Sequence, residues 1–329
     1  MAARTPARFD PIGTFAYASR VNILPPDRVS MVKRLTDALF ANAYVLLTLV
    51  SLFWAGNQIL GRAMAGVVPP ITLGCIRWTL ATIFLLPFAW SSLKADWPAV
   101  RANLGFLAFL GVIGGGAINT FSYIGLNYTT AMNALVLNSS APIFIVLFCV
   151  MIFGDRITIG QVVGILISIA GVLIVVLHGD LTTLAELSLN RGDLFVVAGM
   201  ASWGIYTALL RKRPPVAPLS FAAATFAAAA LVNLPFALGE ALTGHLPHAT
   251  PASLLAFAYV GIFPSVLAYM FYNRAIELIG ASRAGVFNHL VPLFGAVLAF
   301  VLLGERLGLH HVAGFALILV GIWLAARAP

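Results

Sequence analysis

The sequence predicts an all-α integral membrane protein: ten transmembrane helices arranged as two inverted five-helix repeats. Three observations predict it. Of 329 residues, 61% are hydrophobic and only 9% charged, against about 25% charged in soluble domains. Apolar segments near the roughly 20-residue length of a membrane-spanning helix fill most of the chain past residue 38. The third observation is self-similarity: "GDRITIGQVVGILISIAGVLIV" at Gly154 returns as "GERLGLHHVAGFALILVGIWLA" at Gly304, 150 residues later.

The elements follow in chain order. Residues 1–37 are polar, with four arginines before Met31 and no apolar h-region. They read as a disordered cytoplasmic leader, neither signal peptide nor span, and "MVKRLTDALF" at Met31 reads as a natural start. Ten spans are expected near 38–58, 70–89, 104–124, 132–152, 159–178, 194–211, 218–239, 252–272, 283–304 and 309–327, with a linker over 179–193. Pro69, Pro70, Pro218 and Pro251 stand at helix starts, where a missing N–H is tolerated. With a cytoplasmic N-terminus, the inside segments hold 15 of the 19 Lys and Arg residues and the outside segments only three. The positive-inside rule therefore places both termini in the cytoplasm of a multi-pass cell (inner) membrane protein. The formal charge of +8 belongs to these loops, so no nucleic-acid partner is implied.

The repeat extends beyond the framing helices. At an offset of 150, Gly111, Phe121, Asn138, Pro142, Gly164 and Gly171 match Gly261, Phe271, Asn288, Pro292, Gly314 and Gly321. At 149, Trp54 and Arg62 match Trp203 and Arg211. Residues 38–178 and 194–327 are thus two copies of one unit. Because five is odd, the second copy enters the membrane from the opposite face, so the "GDR" turn lies inside and the "GER" turn outside. Inverted repeats are the architecture of secondary transporters with a central site opened alternately to each side.

Trp54-Ala55-Gly56, Trp203-Gly204, the spans carrying Pro142 and Pro292, and the "GDRI" and "GERL" turns occur in order and in duplicate. In these the chain resembles the drug/metabolite transporter superfamily, in particular its EamA-type permeases, over about residues 40–327. Asp155 stands where that family usually has Glu. The resemblance implies a ten-helix metabolite exporter or permease without naming a substrate.

Arg77 is the sharpest candidate. It sits about 10 Å below the outer edge of span 2, at 1.5 Å per residue. An arginine at that depth costs at least a few kcal/mol unless it faces protein or water. It is expected to bind a substrate carboxylate. The remaining candidates form two expected polar layers flanking the midplane. Trp54, Asn57, Asn119, Tyr123 and Asn138 join Arg77 in the outer layer, while Tyr206, Tyr269, Asn288 and His289 form the inner one below Trp203. Trp54 and Trp203 recur in register and are expected to wall the cavity. The paired glycines of spans 5 and 10 permit close helix approach, which suggests scaffold or a homodimer surface. Asp155–Arg156 and Glu305–Arg306 are expected to pair within their turns or with nearby helix ends.

The absences are also informative. All eleven acidic residues lie outside the span centres, which counts against a pump for lipophilic cations built on a buried carboxylate. His289 is the one histidine placed away from a span end, so weak or no ion coupling is expected. Cys75 and Cys149 lie in apolar runs, no metal-ligand spacing occurs, and no cofactor is expected. No intramembrane protease or prenyl-transfer motif is present, so the chain is not read as an enzyme. The leading expectation is an exporter of amino acids or related carboxylate-bearing metabolites. A multidrug exporter of neutral or cationic compounds is the alternative.

Overall fold

A computed structural model describes residues 34, 36–64, 67–126, 128–129, 137–177, 179–180, 190–248, 250–303 and 308–327. The expected leader lies almost wholly outside these residues, as do most of the linker and the Glu305–Arg306 turn. The elements join into ten rods: α1 (Ala43–Ala63), α2 (Pro70–Ala102), α3 (Leu104–Gly111, through a π turn Val112–Ala117, into Ile118–Leu126), α4 (Ala141–Phe153), α5 (Ile159–Val176), α6 (Arg191–Leu209, closing in a 3-10 turn Leu210–Lys212), α7 (Pro218–Leu242), α8 (Pro251–Gly261, a π turn Ile262–Leu267, then Ala268–Ile279), α9 (Ala281–Val286, a 3-10 turn Phe287–His289, then Leu290–Leu303) and α10 (Leu309–Arg327). Among the described residues, eight of the rods are long and apolar enough to cross a membrane, and α4 is a shorter apolar helix. Lipid cannot hydrogen-bond a free peptide group, so spanning segments are helical.

Local chemistry sets the helix ends. The Asn42 carboxamide accepts from Tyr44 N and Val45 N at the start of α1. Reciprocal capping boxes begin α5 (Thr158 with Gln161), α6 (Asn190 with Asp193) and α8 (Thr250 with Ser253). The boundary expected for span 2 needs correction. α2 runs to Ala102 rather than residue 89, through Pro87 and Pro98. Trp90 and Trp97 are exposed along its added length and Lys94 lies over the Trp90 ring, the chemistry of a membrane interface. The start expected for span 4, at 132, falls on residues outside the described set; beyond a turn at Ser139 and Ser140, α4 runs from Ala141.

Two antiparallel pairs show the inversion directly. In α5 and α10 the glycine faces meet: a methyl group on Gly164 would lie 2.6 Å from the Gly321 carbonyl oxygen, and one on Gly171 would lie 2.7 Å from that of Gly314. The ascending order of one helix meets the descending order of the other, so the first residues of the two helices, Ile159 and Leu309, lie at opposite ends of the pair. In α2 and α7 the pairing is reciprocal at the ends. Glu240, late in α7, accepts from Ile71 N and Thr72 N at the start of α2. Asp96, late in α2, accepts from Ala217 N just before α7. A carboxylate at a helix N-terminus satisfies orphan donors and complements the dipole. α1 packs on α8 and α9 of the second repeat, and α6 packs on α3 and α4 of the first. Each copy therefore contributes its first helix to the other. The glycines of α5 and α10 are engaged within the chain, and Leu166, Leu319 and Trp323 of the same helices are exposed.

Candidate functional site

The site begins with a backbone irregularity that, among the described residues, occurs once in each repeat. The π turns of α3 and α8 lie 150 residues apart, at Val112–Ala117 and Ile262–Leu267. Each has a local cause. Gly114, Gly115 and Gly116 weaken the first helix. Pro264 removes an amide donor from the second, and Ser265 Oγ donates instead to the Val260 carbonyl at 2.7 Å. π turns leave carbonyls to be satisfied from outside the helix, and both turns present theirs to the bundle interior. Tyr269 donates its hydroxyl to Gly114 O at 2.5 Å, and Trp78 and Asn119 donate to Gly115 O at 3.2 and 2.7 Å. Trp54 Nε1 and Arg77 Nη2 donate to Pro264 O at 3.1 and 3.0 Å, and Arg77 Nε donates to Ser265 Oγ at 2.6 Å.

These donors belong to one aromatic cluster. The Trp54 ring meets Trp203 edge-on at 5.2 Å and lies 5.4 Å from Tyr272. Trp203 stacks on Tyr206 at 5.2 Å, and Trp78 meets Tyr269 edge-on at 5.0 Å. Trp78 and Tyr272 are fully buried, Tyr206 and Tyr269 nearly so. Arg77 is 5% exposed, with its guanidinium 4.8 Å from the Trp78 ring. The Ser265, Pro264 and Trp78 contacts of this cation are with neutral groups, a costly placement that only good hydrogen bonding sustains. With the rings against one another, the structure is closed around its centre. A narrow crevice between α3, α6, α7 and α8 touches Trp78, Gly114, Tyr206, Thr225 and Tyr269.

A second polar group lies where α4, α5 and α9 meet. His289 is buried, with Nε2 3.0 Å from Ser139 O and Nδ1 2.6 Å from Ser168 Oγ. The carbonyl can only accept, so Nε2 carries a proton.

The expected candidates separate on this geometry. Trp54, Trp203, Tyr206, Tyr269 and Arg77 come together. Asn119 is turned to its own helix carbonyl. Asn57 is half-buried three residues beyond Trp54. Asn138 is half-buried, its Oδ1 without a hydrogen-bond partner among the described residues. Asn288 lies beside the Tyr272 hydroxyl, and His289 sits in its own polar group. The Tyr123 side chain lies outside the described residues. Two polar layers are not what the structure shows. Trp54 and Trp203 are related by the pseudo-twofold axis and lie near it, so they meet, and Tyr206 and Tyr269 gather on both. Of the two expectations for the turn charges, Asp155 follows the second: it binds Arg211, at the closing end of α6, with both oxygens at 2.8 and 3.0 Å. Sequence reading missed Trp78, Tyr272, Pro264 and the Gly114 turn. The alignment of Gly114 with Pro264 at the offset of 150 was the available signal for the last two.

Comparison with known proteins agrees with this architecture. Residues 41–177 and 190–327 each match the EamA-like transporter family. The chain is 28% identical to the uncharacterized transporter YyaM of Bacillus subtilis, over 87% of this chain and 93% of the relative. It is 27% identical to a probable terminal-alkyne amino-acid exporter of Streptantibioticus cattleyicolor, over 89% and 95%. A solved crystal structure superposes with a TM-score of 0.70 at 22% identity, covering 86% of this chain and 96% of the other, which supports the fold. Doubled family matches, ten rods in two inverted sets and a site on the axis between them lead to one assignment: the chain belongs to the EamA-like transporter family, a transporter of the drug/metabolite superfamily and not an enzyme.

Proposed function

We propose that this chain exports small carboxylate-bearing metabolites, amino acids among them, across the cell membrane by alternating access, with both termini in the cytoplasm. The observation that carries the reading is Arg77: a buried cation held by Ser265 and Pro264 at the edge of an aromatic cluster on the pseudo-twofold axis. A cation there favours a carboxylate, and the rings offer an apolar wall for the rest of the ligand. The name of the Streptantibioticus cattleyicolor relative, an amino-acid exporter, supports the class. Arg77, Trp54, Trp203, Tyr206 and Tyr269 are the proposed contacts. Asn57, Asn119, Tyr123, Asn138, Asn288 and His289 are proposed to line the path as the two halves part. The distribution of basic residues supports the orientation.

Flux into proteoliposomes tests the reading. L-phenylalanine and L-leucine should be carried, and Arg77→Ala should lower their flux at least about tenfold, since a hydrogen bond to a charged group contributes about 1.5–3 kcal/mol. Their amides, which keep the amino group but lack the carboxylate, should lose little. Equal loss for acids and amides removes the role given to Arg77. The aromatic cluster also favours a second reading, export of neutral hydrophobic compounds, and preferential flux of the uncharged 3-phenylpropanamide would establish that instead.

A further inference from the structure

Ser265, Tyr269, Asn273 and Glu277 follow one another at intervals of four along α8, a spacing that puts them on one helix face. Each bonds a different element. Ser265 accepts from Arg77 of α2, and Tyr269 donates to Gly114 O of α3. Asn273 accepts from the Tyr206 hydroxyl of α6 at 3.1 Å. Glu277 pairs with Arg213, one residue past the end of α6, and with Arg274 at 2.8 Å. The face therefore runs as a polar ladder from the buried arginine to one end of the molecule. That end is the one the positive-inside rule assigns to the cytoplasm.

One carboxylate serves two guanidiniums, and all three side chains are only 22–24% exposed. Arg274 also donates Nε–H to Phe40 O at 3.2 Å, which ties α8 to the chain ahead of α1. The cleft beside this group is otherwise walled by Pro218, Phe221, Ala222 and Met270, with Asn273 in its lining. Any movement of Glu277 on α8 away from the end of α6 must part it from Arg213. Parting a largely buried pair with no replacement leaves a desolvated charge behind. A carboxylate arriving in the cleft removes that obstacle, because it can take Arg213 while Glu277 keeps Arg274.

We propose that Arg213 and Arg274 form a carboxylate-accepting subsite at this end, and that a ligand carboxylate displaces Glu277 from Arg213 and so releases α8 from the end of α6. The proposal rests on the carboxylate reading of the central site. It adds a second cation station about two helical turns along α8 from Tyr269, and a reason why ligand binding and gate opening are coupled.

The test uses the full chain with Cys75→Ala and Cys149→Ala, and Met270→Cys as a reporter in the cleft. The rate of reaction with a charged maleimide is measured in detergent. The probes are L-phenylalanine and 3-phenylpropanoate, each with its amide as control. The carboxylates should accelerate labelling at least threefold and the amides should not. Arg213→Gln should raise the basal rate and lose the response, while Arg213→Lys, which keeps the charge, should retain part of it. Loss of fold in Arg213→Gln would show as a shifted melting midpoint, and the carboxylate–amide contrast then decides alone. Equal action of acid and amide, or no action by either, overturns the proposal. Flux separates the two levels. If L-phenylalanine is carried in an Arg77-dependent way while labelling ignores carboxylates, the latch falls and the export reading stands. If neither carboxylate is carried, both fall.

Discussion

Adding one methyl group at Gly114 probes the packing on which the site depends. In Gly114→Ala the new carbon would lie 2.3, 2.5 and 2.6 Å from Cδ2, Cγ and Cε2 of Tyr206. Ordinary carbon contacts are about 3.5–4.0 Å, so the ring must retreat by roughly 1 Å. It has little room to do so. Tyr206 is 2% exposed, stacks on Trp203 at 5.2 Å and is held by Asn273 at 3.1 Å. Overpacking of this kind destabilises by about 1–3 kcal/mol. A double-mutant cycle with Tyr206→Ala isolates the clash. Unfolding of the purified protein in a detergent–denaturant titration should show Gly114→Ala losing about 1–3 kcal/mol, and most of that loss should vanish in the Tyr206→Ala background. A neutral Gly114→Ala, or a loss of equal size in both backgrounds, would refute the close approach of α3 and α6 at the π turn.

Gly164→Leu should be more damaging, because its side chain would meet the Gly321 backbone 2.6 Å away rather than a movable ring. Loss of monodisperse protein on size-exclusion chromatography checks this. Trp54→Phe removes the donor to Pro264 O while keeping an aromatic ring. Stability should fall by about 1 kcal/mol, and amino-acid flux should fall severalfold in proteoliposomes. His289 is held by Ser139 O and Ser168, and weak ion coupling predicts that flux follows the substrate gradient with little response to an imposed ΔpH. A steep response abolished by His289→Ala would contradict that.

The fold was legible because lipid imposes it. Charge depletion, the length of apolar runs and the doubled glycine-acid-arginine turns are each properties of the chain that need no tertiary knowledge. The exchange of first helices between repeats was not legible, since α1 and α6 carry no polar signal that distinguishes one apolar neighbour from another. Trp54 and Trp203 were readable because they recur in register. Trp78 and Tyr272 were not, because an isolated aromatic in an apolar helix looks like packing. The expectation of two layers failed for a related reason. Depth along a helix can be counted from sequence, but distance from the pseudo-twofold axis cannot, and that distance is what joins Tyr206 and Tyr269 to Trp54. The extra length of α2 was hidden by Pro87 and Pro98, which ordinarily mark helix ends yet here sit within a continuous helix.

The inversion of the repeats is the claim on which the rest stands, and labelling from each side of the bilayer measures it most directly. Single cysteines at Arg156 and Arg306, in a Cys75→Ala and Cys149→Ala background, would be treated with an impermeant maleimide on intact cells and on inverted vesicles. The account predicts that position 306 reacts only from outside the cell and position 156 only from the cytoplasmic side. Reaction of both positions from the same side would contradict it.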